Sequence, residues 1–145
     1  MKRPILAVVG LAVIVASLMA IASVQATEVS FEVDIKPNNV VNSINPGSGG
    51  LIPVAILGSL GFDVAGVDVG SLAFGVPFGV PPCCPGPAHG GHLEDVNLDG
   101  FTDLVLHFPT QETGISAGDT GACLTGALLD GYLFEEGCDM IRTVP

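Results

Sequence analysis

The residues best placed to do chemistry are Asp95, Asn97, Asp99 and Asp103, spaced as D-x-N-x-D-G-x-x-D in Asp95-Val96-Asn97-Leu98-Asp99-Gly100-Phe101-Thr102-Asp103. Calcium is a hard ion that takes six to eight oxygen ligands at about 2.3–2.6 Å. Side chains at alternate positions of a tight loop converge their oxygens on one point. Gly100 permits the sharp turn, Phe101 offers its backbone carbonyl, and Asp103 closes the loop directly or through water. Glu94, Glu112, Asp119 or water would complete the shell. Three carboxylates held together repel one another, and a divalent cation removes that penalty. The expected cofactor is therefore calcium, and its expected role is structural. Without an ion, the same residues would be a solvated acidic turn.

A second cluster could take a softer ion. His89-Gly90-Gly91-His92 precedes Glu94 and Asp95, and His107, Cys83 and Cys84 lie elsewhere in the chain. A His-x-x-His pair beside an acid suits zinc or copper. The plainer alternative is a loop histidine packing against the calcium loop, with His92 and Glu94 as additional ligands at most. No H-E-x-x-H helix occurs, and the reading is non-catalytic.

The elements that position these residues read as strands. Val29, Phe31, Val33 and Ile35 alternate with polar residues, and Pro37 ends the run. Leu51–Leu57 is a short apolar strand buried on both faces, in which Pro53 should face an edge or a bulge. Leu104–Phe108 alternates Leu104, Leu106 and Phe108 against Val105 and His107. Asp130-Gly131 marks a hairpin turn between Ala122–Leu129 and Tyr132–Phe134. Met140–Val144 is a last strand with Arg142 outward. No segment in this region has helical periodicity. The expectation is an all-β fold, an immunoglobulin-like β-sandwich with one inserted calcium loop.

The twelfth position of an EF-hand loop carries a Glu on a helix, whereas here it is Leu106 in a strand. The loop instead resembles the shorter calcium loop of FG-GAP and integrin propeller repeats, in which the ninth-position Asp leads into a strand. A propeller needs several copies and this chain has one, so the resemblance carries the loop geometry and not the fold.

The ends and the composition bound the setting. Lys2 and Arg3, the apolar run from Ile5 to Ala22, and Val24-Gln25-Ala26 have the form of a secretory signal peptide over residues 1–26. Residues 27–145 then form a single domain, secreted to the periplasm or the medium and free of the membrane once the signal is cleaved. The chain carries 15 acids against 4 bases, a formal charge of −11, and beyond the signal only Lys36 and Arg142 remain basic. Such a chain does not bind nucleic acid. Four cysteines in an exported chain suggest two disulfides among Cys83, Cys84, Cys123 and Cys138. The favoured pairings join Cys83 and Cys84 to Cys123 and Cys138, tying the Pro-rich segment of residues 75–91 to the C-terminal strands. A Cys83–Cys84 ring ranks last.

Nearly the whole of residues 27–145 resembles a family of small exported bacterial proteins, largely uncharacterised. The matching stretches include Val33-Asp34-Ile35-Lys36-Pro37, Asn42-Ser43-Ile44-Asn45-Pro46 and Ile52-Pro53-Val54-Ala55-Ile56-Leu57. They continue through His92-Leu93-Glu94-Asp95-Val96-Asn97, Gly100 with Asp103-Leu104-Val105, and His107-Phe108 with Thr110-Gln111-Glu112-Thr113-Gly114-Ile115. Gly118-Asp119-Thr120, Leu124-Thr125-Gly126 and Asp130-Gly131 complete the pattern. Family members usually have Gly where this chain has Asn38. The resemblance implies an exported β-domain, sometimes joined to other extracellular modules, and no known activity. The resulting expectation is a calcium-binding structural or adhesion module of the cell surface or medium, with an extracellular protein or a polysaccharide as partner. The alternative is a carbohydrate- or matrix-binding module, which the absence of Trp and the single Tyr132 argue against.

Overall fold

The computed structural model describes residues 29–77, 84–134 and 136–145. The expected leader over residues 1–26 and the pairing of Cys83 lie outside the described residues. The strands are β1 (Glu32–Ile35), β2 (Ser43–Ile44), β3 (Leu51–Leu57), β4 (Ala73–Gly75), β5 (His92–Glu94), β6 (Asp103–Pro109), β7 (Gly121–Thr125), β8 (Gly137–Met140) and β9 (Arg142–Thr143). Among the described residues there is no α-helix; single 3-10 turns occur at Val64–Gly66, Val69–Ser71 and Thr110–Glu112. The fold is all-β.

An antiparallel sheet runs β1-β3-β6-β5, a second antiparallel sheet runs β4-β7-β8, and β2 pairs with β9 in parallel. The alternation read from the sequence decides which side chains go inward. Val33 and Ile35 of β1, Ile52, Val54 and Ile56 of β3, and Leu104, Leu106 and Phe108 of β6 are buried. They meet Phe74 of β4 and Ala122 and Leu124 of β7 in one apolar cluster, with the Phe74 and Phe108 ring centres 5.1 Å apart. Successive residues of a strand point to opposite faces. Glu32, Asp34, Asp103, Val105, His107, His92 and Glu94 consequently share the other face of the four-stranded sheet.

Pro53 lies in a central strand, not at an edge, and the reason is local. Its carbonyl accepts the Lys36 N–H at 2.8 Å, so its nitrogen faces the same neighbour, β1. β1 ends one residue earlier at Ile35, and the Lys36 carbonyl that an N–H at position 53 would reach instead accepts from Asn39 at 3.0 Å. That Lys36–Asn39 turn has Pro37 second and Asn38 third, at φ 69°. Asn tolerates this left-handed conformation better than most residues, which accounts for Asn38 where Gly is common.

Asp139 of β8 joins the two larger sheets. Its Oδ2 accepts the N–H of buried Ile35 at 3.0 Å, satisfying a donor on the free edge of β1, and the side-chain amide of Asn42, just before β2, at 2.9 Å. Asp63 and Asp68 likewise have local tasks, accepting the N–H groups of Ala65 and Gly70 to cap the first two 3-10 turns.

Cys123 and Cys138 are bonded to each other. This corrects the expectation that they reach back to Cys83 and Cys84. The two are direct cross-strand neighbours in the β7–β8 register, where side chains stand close enough to bond without moving the backbone. Cys84 is disulfide-bonded too, to neither of these. What holds the described part of the Pro-rich segment is backbone hydrogen bonding. The Cys84 N–H donates to Glu112, Pro85 accepts from Phe74, and the Ala88 N–H donates to His107 at 2.8 Å. The segment thus passes from the edge of β4 across to β6.

Candidate metal centre

The loop of residues 95–102 joins β5 to β6, whose antiparallel pairing sets Glu94 opposite Asp103. Its conformation is that of a chain wrapped around its own side chains. The Asp99 N–H donates to Asp95 Oδ1 at 3.2 Å and to Asn97 Oδ1 at 3.1 Å. The Gly100 N–H donates to Asp95 Oδ2 at 3.0 Å, and the Phe101 N–H to Asp99 Oδ1 at 2.9 Å. The Asn97 amide reaches Asp99 Oδ2 at 2.9 Å. Leu98 and Gly100 have positive φ, 61° and 90°, which tightens the curl. Asp95, Asn97 and Asp99 therefore turn their oxygens into the loop, as the spacing requires.

Asp103 differs from the other three. It is fully buried, and each of its oxygens already accepts an N–H: Gly58 to Oδ1 and Val96 to Oδ2, both at 2.8 Å. It ties the end of β3 to the start of the loop. Gly58 is needed there because the backbones touch; a Cβ on it would lie 2.1 Å from the Thr102 carbonyl oxygen. Each carboxylate oxygen can accept more than one bond, so Asp103 retains capacity toward an ion. The donor set is all oxygen and suits calcium. Among the described residues, however, Asp95, Asp99 and Asp103 do not bring three carboxylate oxygens within 4.8 Å of one another. Ligation by all three requires the loop to contract.

The further ligands expected from the sequence fare differently. Glu94 is near, but its Oε2 lies 3.3 Å from His92 Nε2. Glu112 lies beyond the far end of β6, about 20 Å from the loop at roughly 3.3 Å per residue, so it cannot contribute. Asp119 accepts the Ser116 N–H in a separate turn. The sequence reading missed Glu32. A cavity of about 250 Å³ opens between the loop and β1, lined by Ser30, Glu32 and Ser59 on one side and Asn97 and Asp99 on the other. Only the β1-β3-β6 strand order brings Glu32 there, and nothing local in the sequence signals it.

The three histidines come together on the same sheet face. His89 and His107 have ring centres 5.2 Å apart, and His92 and His107 6.1 Å apart. Burial, and then the neighbouring His89 and His92, hold the His107 imidazole below its usual value of 6.5. Asp34, on β1 of this face, is held above the ordinary carboxylate value by burial, then by the charges of Asp139 and Asp103. Cys123, Cys138 and Glu136 also approach one another, but the disulfide removes both thiolates as metal ligands.

Comparison with protein-family models, with curated proteins and with solved structures finds no match for this chain.

Proposed function

We propose that the protein is a non-catalytic, exported calcium-binding module, an immunoglobulin-like β-sandwich whose loop at residues 95–103 is made rigid by one calcium ion. Asp95, Asn97 and Asp99 supply side-chain oxygens, Phe101 its carbonyl, and Asp103 the buried anchor. Glu32 faces the loop across the cavity and supplies the further carboxylate that the sequence alone did not locate. The observation that carries this reading is the loop's conformation, with three side chains curled inward at the alternate positions a hard cation needs. Folding supplies the rest of the scaffold, and the ion offsets the repulsion of the gathered carboxylates. A ligand that binds only the folded state stabilises it by mass action. Extracellular modules of this kind work at affinities of about 10⁻⁴–10⁻³ M. Its use is structural, in adhesion or in presenting a surface to an extracellular protein or polysaccharide.

The test is calcium titration by calorimetry, with thermal melts in calcium and in chelator. The expected result is one ion per chain and a higher melting temperature in calcium. Asp99→Ala should remove both, and Glu32→Gln should weaken binding without abolishing it. A calcium response that survives Asp99→Ala would overturn the assignment of the loop.

A further inference from the structure

All three histidines of the chain stand together on the outer face of the four-stranded sheet, although His107 lies in a separate stretch of sequence from His89 and His92. Three features of the fold place them. The register sets His92 opposite Val105, so His92 and His107 are near neighbours on one face. The Ala88 N–H donates to the His107 carbonyl, which delivers His89 to the same spot. Gly91 lies flush on β6, where a Cβ would come within 2.7 Å of Leu104 and 2.9 Å of Leu106 and the Val105 carbonyl. The His-Gly-Gly-His stretch is therefore packed against a strand.

The ring nitrogens are partly assigned. His89 Nδ1 lies 3.1 Å from the Gly90 carbonyl, an interaction in which the nitrogen is the donor, leaving Nε2 as the electron-pair donor. His92 Nε2 lies 3.3 Å from Glu94 Oε2, which leaves its Nδ1. His107 Nδ1 is buried and has no hydrogen-bond partner. A buried nitrogen without a partner is unfavourable unless something occupies it.

We propose that His89, His92 and His107 form a binding site for a divalent transition-metal ion of the zinc or copper class, separate from the calcium loop. Glu94 is the positioning residue: a carboxylate on the outer nitrogen of a ligating histidine sets its tautomer and ring orientation. Zinc binds imidazole nitrogen at about 2.0–2.1 Å, which puts tetrahedrally arranged imidazole centres about 5 Å apart. The observed spacings of 5.2 and 6.1 Å are near this value. The nitrogens of the three rings do not yet lie within 4.8 Å of one another, so ligation by all three requires the exposed His89 and His92 side chains to rotate inward. Imidazole nitrogen is the softer donor and the Asp95–Asp103 loop an all-oxygen one, so the two sites sort different ions.

The experiment titrates the purified, oxidised protein with zinc alone and with cobalt(II) alone, in excess calcium that saturates the loop. One ion per chain should bind, and the cobalt complex should show the visible bands of a nitrogen-ligated tetrahedral ion. His89→Gln and His92→Gln lie at exposed positions, and a retained thermal melt shows that each still folds. Each should weaken zinc by about 10-fold or more, and Glu94→Gln by a smaller factor. If His107→Gln fails to fold, ring-nitrogen NMR shifts of the unaltered protein on adding zinc report that ligand directly. Zinc affinity unchanged in both His89→Gln and His92→Gln, zinc displaced by calcium, or no zinc uptake below millimolar would each overturn the site.

Discussion

Replacing Asp103 separates the scaffold of the loop from the ion it is proposed to hold. The carboxylate is fully buried and accepts two N–H groups at 2.8 Å, one buried, from Gly58, and one partly buried, from Val96. In Asp103→Ala both donors lose their partner. A buried donor left unsatisfied costs about 1–3 kcal/mol, and a half-exposed one less because water can replace the lost acceptor. The expected total is about 2–4 kcal/mol, a large part of the 5–15 kcal/mol that typically holds a domain folded. Asp103→Asn keeps the shape and one acceptor oxygen but aims an amide donor at one of the two N–H groups. It should fall between the unaltered protein and Asp103→Ala. The assay is urea unfolding in chelator, so that no ion contributes, with the slope checked for constancy so that midpoint shifts report stability. A loss below about 1 kcal/mol in Asp103→Ala would show that these two hydrogen bonds are replaceable and that Asp103 is not the anchor of the loop.

Two other perturbations follow from the same packing. The Asp34 carboxyl is held above its ordinary value of 3.8, so the native state keeps this proton where the unfolded chain has released it. Its contribution to stability therefore falls as pH rises from 3.8 through the native pKa. Asp34→Asn removes that dependence, and paired melts at neutral and acid pH should show stabilisation at neutral pH and little change below pH 3.8. Equal effects at both would contradict the cause given. Cys123 and Cys138 close a loop with a sequence separation of 15. Replacing both by Ala should cost about 3 kcal/mol through the freed unfolded chain, read by urea unfolding, and the β7–β8 pairing should survive in amide exchange.

Much of the local structure was legible in the sequence because local rules determine it. Period-two alternation marked β1 and the inward set of β6, since strand geometry sends successive side chains to opposite faces. The spacing of Asp95, Asn97 and Asp99 predicted a loop curled on its own oxygens, because turn geometry is set within a few residues. The tertiary structure decided whatever depends on register between distant strands. It paired Cys123 with Cys138, set Glu32 across a cavity from Asn97 and Asp99, gave Asp103 a buried anchoring task, and gathered His89, His92 and His107. Register is chosen by the burial of whole strand faces, a sum over many residues that no single motif records. Sequence by itself therefore determined which residues could carry ligand atoms, and the packing of strands determined which of them meet.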